Sequence, residues 1–174
     1  MTRRRGLLLS GAVTLVLFGV LTALDLRMRD AGGPGIVGFE FAWDQRGASE
    51  ILAGWGEDGR DAARLSLWLD FIYLVAYAAL GTLAVGGVRE LARRRGLPRI
   101  ASAGAAVIAF PAAAASFDAL EDVALLIALE GEGGDTAPML AAICASLKFT
   151  LLSAAIVYIV VGLIAARRAR ARAA

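Results

Sequence analysis

The chain has 174 residues, 59% of them hydrophobic, with a mean hydropathy of +0.68 and a formal net charge of +2. That length and composition point to one membrane domain over residues 1–174, with no room for a separate soluble one. With no histidine, no asparagine and a single cysteine, Cys144, the chain has no histidine-ligated haem or zinc, no Ser-His or Cys-His nucleophile, no intrachain disulfide, no thiolate metal cage and no N-glycosylation sequon.

Arg3-Arg4-Arg5 precedes an apolar run, Leu7 to Leu24, that is longer than a signal-peptide core and lacks a small-x-small cleavage site. It is expected to be an uncleaved first span over 7–24, about 27 Å long at 1.5 Å per residue. Asp25, Arg27, Arg29 and Asp30 mark an interface, and Gly32-Gly33-Pro34-Gly35 breaks the helix. The outer loop, 25–64, is rich in aromatic residues and acids. Within it Asp44 suits a helix N-cap, and Ala48, Ile51, Leu52 and Trp55 fall on one helical face that ends at Gly54-Trp55-Gly56. The simplest expectation is an amphipathic helix on the membrane surface with its tryptophans at headgroup level. A lid folded over the bundle is the alternative.

The second span is expected over 65–88, entering at Trp68 and leaving at Arg89, with Gly81, Ala84 and Gly86 offering small faces. A link, 89–99, carries five arginines. The third span covers 100–129, with Pro111 kinking it about two turns before Asp118. After the acidic loop 130–137, a fourth span covers 138–166, starting at Pro138 and leading to Arg167, Arg168, Arg170 and Arg172. The expected fold is therefore an all-α integral membrane protein, a four-transmembrane-helix bundle with an amphipathic outer loop helix between helices 1 and 2.

Charge distribution orients it. The N-terminus, the 89–99 link and the C-terminal tail hold 3, 5 and 4 arginines with Glu90 their only acid, whereas the two opposite loops hold five arginines against eleven acids. The positive-inside rule places both termini and the link in the cytoplasm. The pI near 9.1 thus reflects topology and not nucleic-acid binding. The Ala/Arg-rich composition fits the inner membrane of a high-GC bacterium.

The third span contains three acids, Asp118, Glu121 and Asp122. Each charged side chain at mid-membrane costs at least roughly 2.5–3.5 kcal/mol, so three together need an explanation. At i, i+3 and i+4 they share one helical face. Counted from Glu130 they lie roughly 12–18 Å into the bilayer, Lys148 lies about 15 Å in from Pro138, and Asp70 about 8 Å in from Leu65. Lys148 is the only lysine, against seventeen arginines. Four carboxylates and one ammonium cannot all ionise in a low dielectric, so at least one of Asp118, Glu121 and Asp122 is expected to be neutral. A neutral acid beside an ionised one suits acid–base chemistry.

Candidate catalytic residues are therefore Asp118, Glu121, Asp122, Lys148 and Asp70; candidate substrate contacts are Tyr73, Tyr77, Pro111 and Trp55. The leading functional expectation is an embedded enzyme acting on a lipid-soluble substrate by proton transfer. The alternatives are a proton- or cation-linked transporter or channel subunit, and a structural protein whose Lys148 ion pair pins helix register. Expected partners are the lipid bilayer and a lipidic small molecule, with no nucleic acid and with homo-oligomerisation left open.

Asp118-x-x-Glu121-Asp122 resembles the aspartate-rich turns that bind magnesium diphosphate in prenyl-transferring enzymes. Those sites add several Lys or Arg residues where this one has Lys148 alone, so no metal and no cofactor is assigned, magnesium with Asp70 added staying open. The plan of four spans, a long first outer loop and acids inside the bundle is similar in outline to the emopamil-binding group of sterol isomerases and sigma-type receptors. No motif of that group matches residue by residue, and no residue role is carried over from it.

Overall fold

Long apolar runs without internal breakers have one economical way to pair their own backbone groups, which is to coil. The computed structural model describes residues 3–171; Met1, Thr2 and 172–174, including Arg172 of the basic tail, lie outside the described residues. In chain order the elements are α1 (Arg3–Asp30), α2 (Ile36–Glu40), α3 (Gln45–Arg94), α4 (Pro98–Val107), α5 (Phe110–Leu129) and α6 (Thr136–Ala171). No strand occurs among the described residues. Four helical segments are long and apolar enough to cross a membrane: α1, α3, α4 with α5, and α6.

The punctuation seen in the sequence sets the element ends. Asp44 caps α3, its carboxylate accepting from Gly47 N at 2.7 Å. Gly96, at φ 64°, ends the turn after α3, and Pro98 opens α4. Gly131, Gly133 and Gly134, all at positive φ, reverse the chain between α5 and α6.

Two expectations are corrected. The third span is two helices: Ile108 and Ala109 form a turn, and Pro111 sits at the start of α5. Proline has no N–H to continue the ladder, so the expected kink is complete enough to end one helix and begin another. The amphipathic segment does not lie flat at headgroup level. Its apolar face packs onto the bundle, with Ala48, Leu52 and Trp55 buried against Phe39, Leu24, Leu125 and Ala141. Trp55 is only 1% exposed, stacks edge-on to Phe39 and donates to Pro34 O at 2.7 Å. Packing that face against Phe39 and α5 removes its apolar surface from water. Gly56, at φ 58° and ψ −156°, breaks α3 into this capping stretch and the long pillar that follows.

α3 packs against α1, α4, α5 and α6, and α5 packs in turn against both α3 and α6. α1 packs along α3, and no comparable packing joins it to α6. Asp25, near the end of α1, accepts from Ile36 N at 2.7 Å and from Arg29 at 2.7 Å, which holds the turn leading to α2. The cap is tied down by Gln45 N donating to Asp135 at 2.9 Å and by Arg64 pairing with Glu130 at 2.7 Å. At the arginine-rich end, Tyr158 reaches from α6 to Ile100 O at 3.1 Å. The acid-rich end is thus covered by chain, and the gap between α1 and α6 is left open.

Candidate functional site

The helical spacing on α5 does what it implies. Asp118, Glu121 and Asp122 all point inward, at 2%, 0% and 3% exposure, and Lys148 of α6 meets them at 7%. Lys148 Nζ donates to Asp118 Oδ1 at 2.7 Å and to Glu121 Oε1 at 2.9 Å. Three charged groups from two helices thus share one set of charge-assisted bonds, the strongest kind a buried ion can make.

Glu40 was not expected in this cluster. It ends the short helix α2, is buried, and brings Oε1 to 3.6 Å from Lys148 Nζ. Burial pushes its carboxyl above the ordinary range, against the pull of Lys148. The aromatic residues on either side, Phe39 and Phe41, were the available signal. Phe39 is buried against Trp55 and Phe41 stacks on Phe149 at 6.2 Å, so Glu40 is carried inward between them. Phe149 also lies under the ammonium, 4.9 Å from ring centre to Lys148 Nζ.

α3 contributes the other wall. Tyr77 donates its hydroxyl to Asp118 Oδ2 at 2.8 Å, and Tyr73 packs edge-on against Tyr77 at 5.4 Å. Asp70, one turn before Tyr73, brings a carboxylate oxygen to within 4.8 Å of oxygens from Asp118 and Asp122. The five expected catalytic residues therefore do converge. They divide, however, into a lysine-bonded set and a pair, Asp70 and Asp122, that makes no hydrogen bond to a donor among the described residues.

Next to the cluster is a cavity of about 770 Å³, bordered by α1 (Phe18, Leu21, Thr22), α3 (Asp70, Tyr73, Tyr77, Gly81) and α6 (Lys148, Leu152, Ile156), with most of its lining apolar. It occupies the gap that α1 leaves beside α6; Asp70, Asp118, Asp122, Lys148 and Glu40 are among its polar lining, and Asp25 and Arg29 of α1 add a charged pair. Pro111 forms part of its wall against Gly81, where a side-chain carbon would come within 2.9 Å of the proline ring. Glu121 lies behind Lys148, and Trp55 lies inside the cap; neither borders the cavity. Cys144 is buried on α6 and does not border it either.

Comparison with protein-family models, with curated proteins and with solved structures gives no match for this chain. The reading of the site therefore rests on its geometry. A cavity that is apolar along most of its length and carries acids, a lysine and tyrosines at one end is chemically matched to an amphiphile held head-first.

Proposed function

We propose that the chain is a multi-pass membrane enzyme that admits a lipid-soluble molecule sideways between α1 and α6 and acts on its polar end by proton transfer. The observation that carries this reading is the cavity itself, mostly apolar in its lining, with its charged groups confined to the carboxylate–lysine cluster and the Asp25–Arg29 pair of α1. A transport path would need polar lining through the whole depth of the bundle. Among the described residues, the lining on the far side of Tyr77 is Leu80, Gly81, Ala84, Ile156 and Ile159, which does not provide one. A purely structural cluster would be dry and fully paired, whereas Asp122 keeps a buried oxygen without a partner.

In this reading Lys148 and Asp118 are the proton-moving groups that face the cavity. Glu121 holds Lys148 from behind, and Tyr77 fixes Asp118. Tyr73 and Pro111 shape the wall. The whole chain is one membrane domain. Its arginine-rich termini and link face the cytoplasm, which puts the cluster in the outer half of the bilayer of a bacterial inner membrane. No soluble partner is needed, because substrate and product both reside in lipid.

The test is a lipid profile of a deletion strain beside a strain carrying Lys148→Met, with protein in the membrane fraction measured in both. The expected outcome is accumulation of the same lipid species in each. Tyr77→Phe should accumulate it to a smaller extent. Unchanged lipids in the deletion strain would overturn the enzyme reading.

A further inference from the structure

Lys148 compensates only part of the acid around it. Its ammonium bonds Asp118 and Glu121 and lies 3.6 Å from Glu40, all on one side of the Asp118 carboxylate. On the other side stand Asp70 and Asp122, with no base in contact among the described residues. One oxygen from each of Asp70, Asp118 and Asp122 lies within 4.8 Å of the others. Asp122 is 3% exposed and its Oδ2 is fully buried with no hydrogen-bond partner. An acceptor that is buried, unpaired and surrounded by other acceptors calls for a positive centre, supplied either by a proton shared with a neighbouring acid or by a cation.

We propose that Asp70, Asp118 and Asp122 form a binding site for one hard divalent cation, of the Mg²⁺ or Mn²⁺ class, at the polar end of the cavity. The donors decide the class. Carboxylate oxygens suit hard cations, and no imidazole or thiolate is present among the three to favour a softer metal. The spacing suits a single ion, since three oxygens that close can each reach one centre by a small rotation of the carboxylates.

Asp118 is not exhausted by its existing bonds. Its two oxygens accept one hydrogen bond each, from Lys148 and from Tyr77, and each keeps a further lone pair. Those two donors would then orient Asp118 from outside, as groups behind metal ligands do. With three ligands contributed by the protein, the remaining coordination positions face the cavity, open to water or to an oxygen of a bound molecule. The cation supplies the positive charge that Lys148, committed to the opposite side, does not. This inference goes beyond the enzyme reading, since the ion would bind whether the cavity hosts a reaction or only a ligand.

The experiment uses the full chain in detergent, freed of metal, titrated with Mn²⁺ alone while free Mn²⁺ is followed by electron paramagnetic resonance. One Mn²⁺ per chain is expected, displaced by Mg²⁺ and accompanied by a rise in melting temperature. Asp122→Asn and, separately, Asp70→Asn should each weaken Mn²⁺ by at least about ten-fold. Glu50→Gln, at an exposed pair with Arg46, should leave binding unchanged. Wild-type protein that binds no Mn²⁺ would overturn the site, as would Asp70→Asn protein that binds as well as wild type. Should Asp122→Asn fail to fold, half-buried Asp70 still decides the question. A melting temperature that rises in metal-free Asp122→Asn while Mn²⁺ does nothing to wild type would also overturn it, in favour of acids that share protons.

Discussion

The two sides of the Asp118 carboxylate differ in almost everything but residue type. Toward α6, Lys148 draws Asp118, Glu121 and Glu40 around one ammonium, at 2.7, 2.9 and 3.6 Å. Toward α3, Asp70 and Asp122 bring carboxylate oxygens within 4.8 Å of Asp118, with no base in contact among the described residues. The first side is bonded, with Glu121 alone of its members set behind the cavity; the second has no bonded base and also faces the cavity. A single lysine cannot serve five acids, and its fixed geometry determines which of them are held and which remain available. With the proposed cation site, stability and binding would then fall to different carboxylates adjacent in sequence on α5, Glu121 and Asp122.

That contrast can be broken most severely at its source. Lys148→Met leaves three buried acids without their counter-charge and should cost about 3–5 kcal/mol, read as a large drop in melting temperature in detergent or as loss from the membrane fraction. Glu121→Gln removes one charge-assisted bond from the closed side and should cost about 1.5–3 kcal/mol. Because Glu121 does not border the cavity, Mn²⁺ affinity in that variant should stay at the wild-type value, a separation that a titration would reveal. Tyr77→Phe deletes a single hydroxyl donor and should cost about 0.6–1.7 kcal/mol, again by melting temperature. Asp122→Asn, measured without metal, should cost nothing, since it trades an unpartnered carboxylate for a neutral amide. A large destabilisation there would show that both sides are structural.

The helical architecture was legible because it follows from apolar run length and from local signals: Asp44 at a helix start, glycines at the reversals, Pro138 at the start of α6. The inward convergence of Asp118, Glu121, Asp122 and Lys148 was legible too, since helical periodicity fixes the face and rise per residue fixes the depth. What escaped depended on contacts between distant segments. Asp44 through Gly56 announced an amphipathic helix, yet its apolar face suits a membrane surface and a bundle end equally; only the partners Phe39 and Leu125 decide between them. Glu40 escaped for the same reason, because five residues of helix in a loop carry no period. Trp55, expected among the substrate contacts as part of the outer loop, is in fact buried within the cap. The gap between α1 and α6 has no sequence signature, as it consists of contacts that are not made.

The tight reversal at Gly131, Gly133 and Gly134 has a bearing on how such a bundle enters a bilayer. Alone, α5 would carry three acids into lipid and α6 one lysine, at least roughly 2.5–3.5 kcal/mol for each charge at mid-membrane. Joined by a turn of a few residues, the two helices can neutralise each other across 2.7 and 2.9 Å bonds before either meets hydrocarbon. In a bilayer, which the length and apolarity of these helices would allow them to cross, α5 and α6 would enter at lowest cost as one hairpin, and lengthening their loop should weaken that coupling.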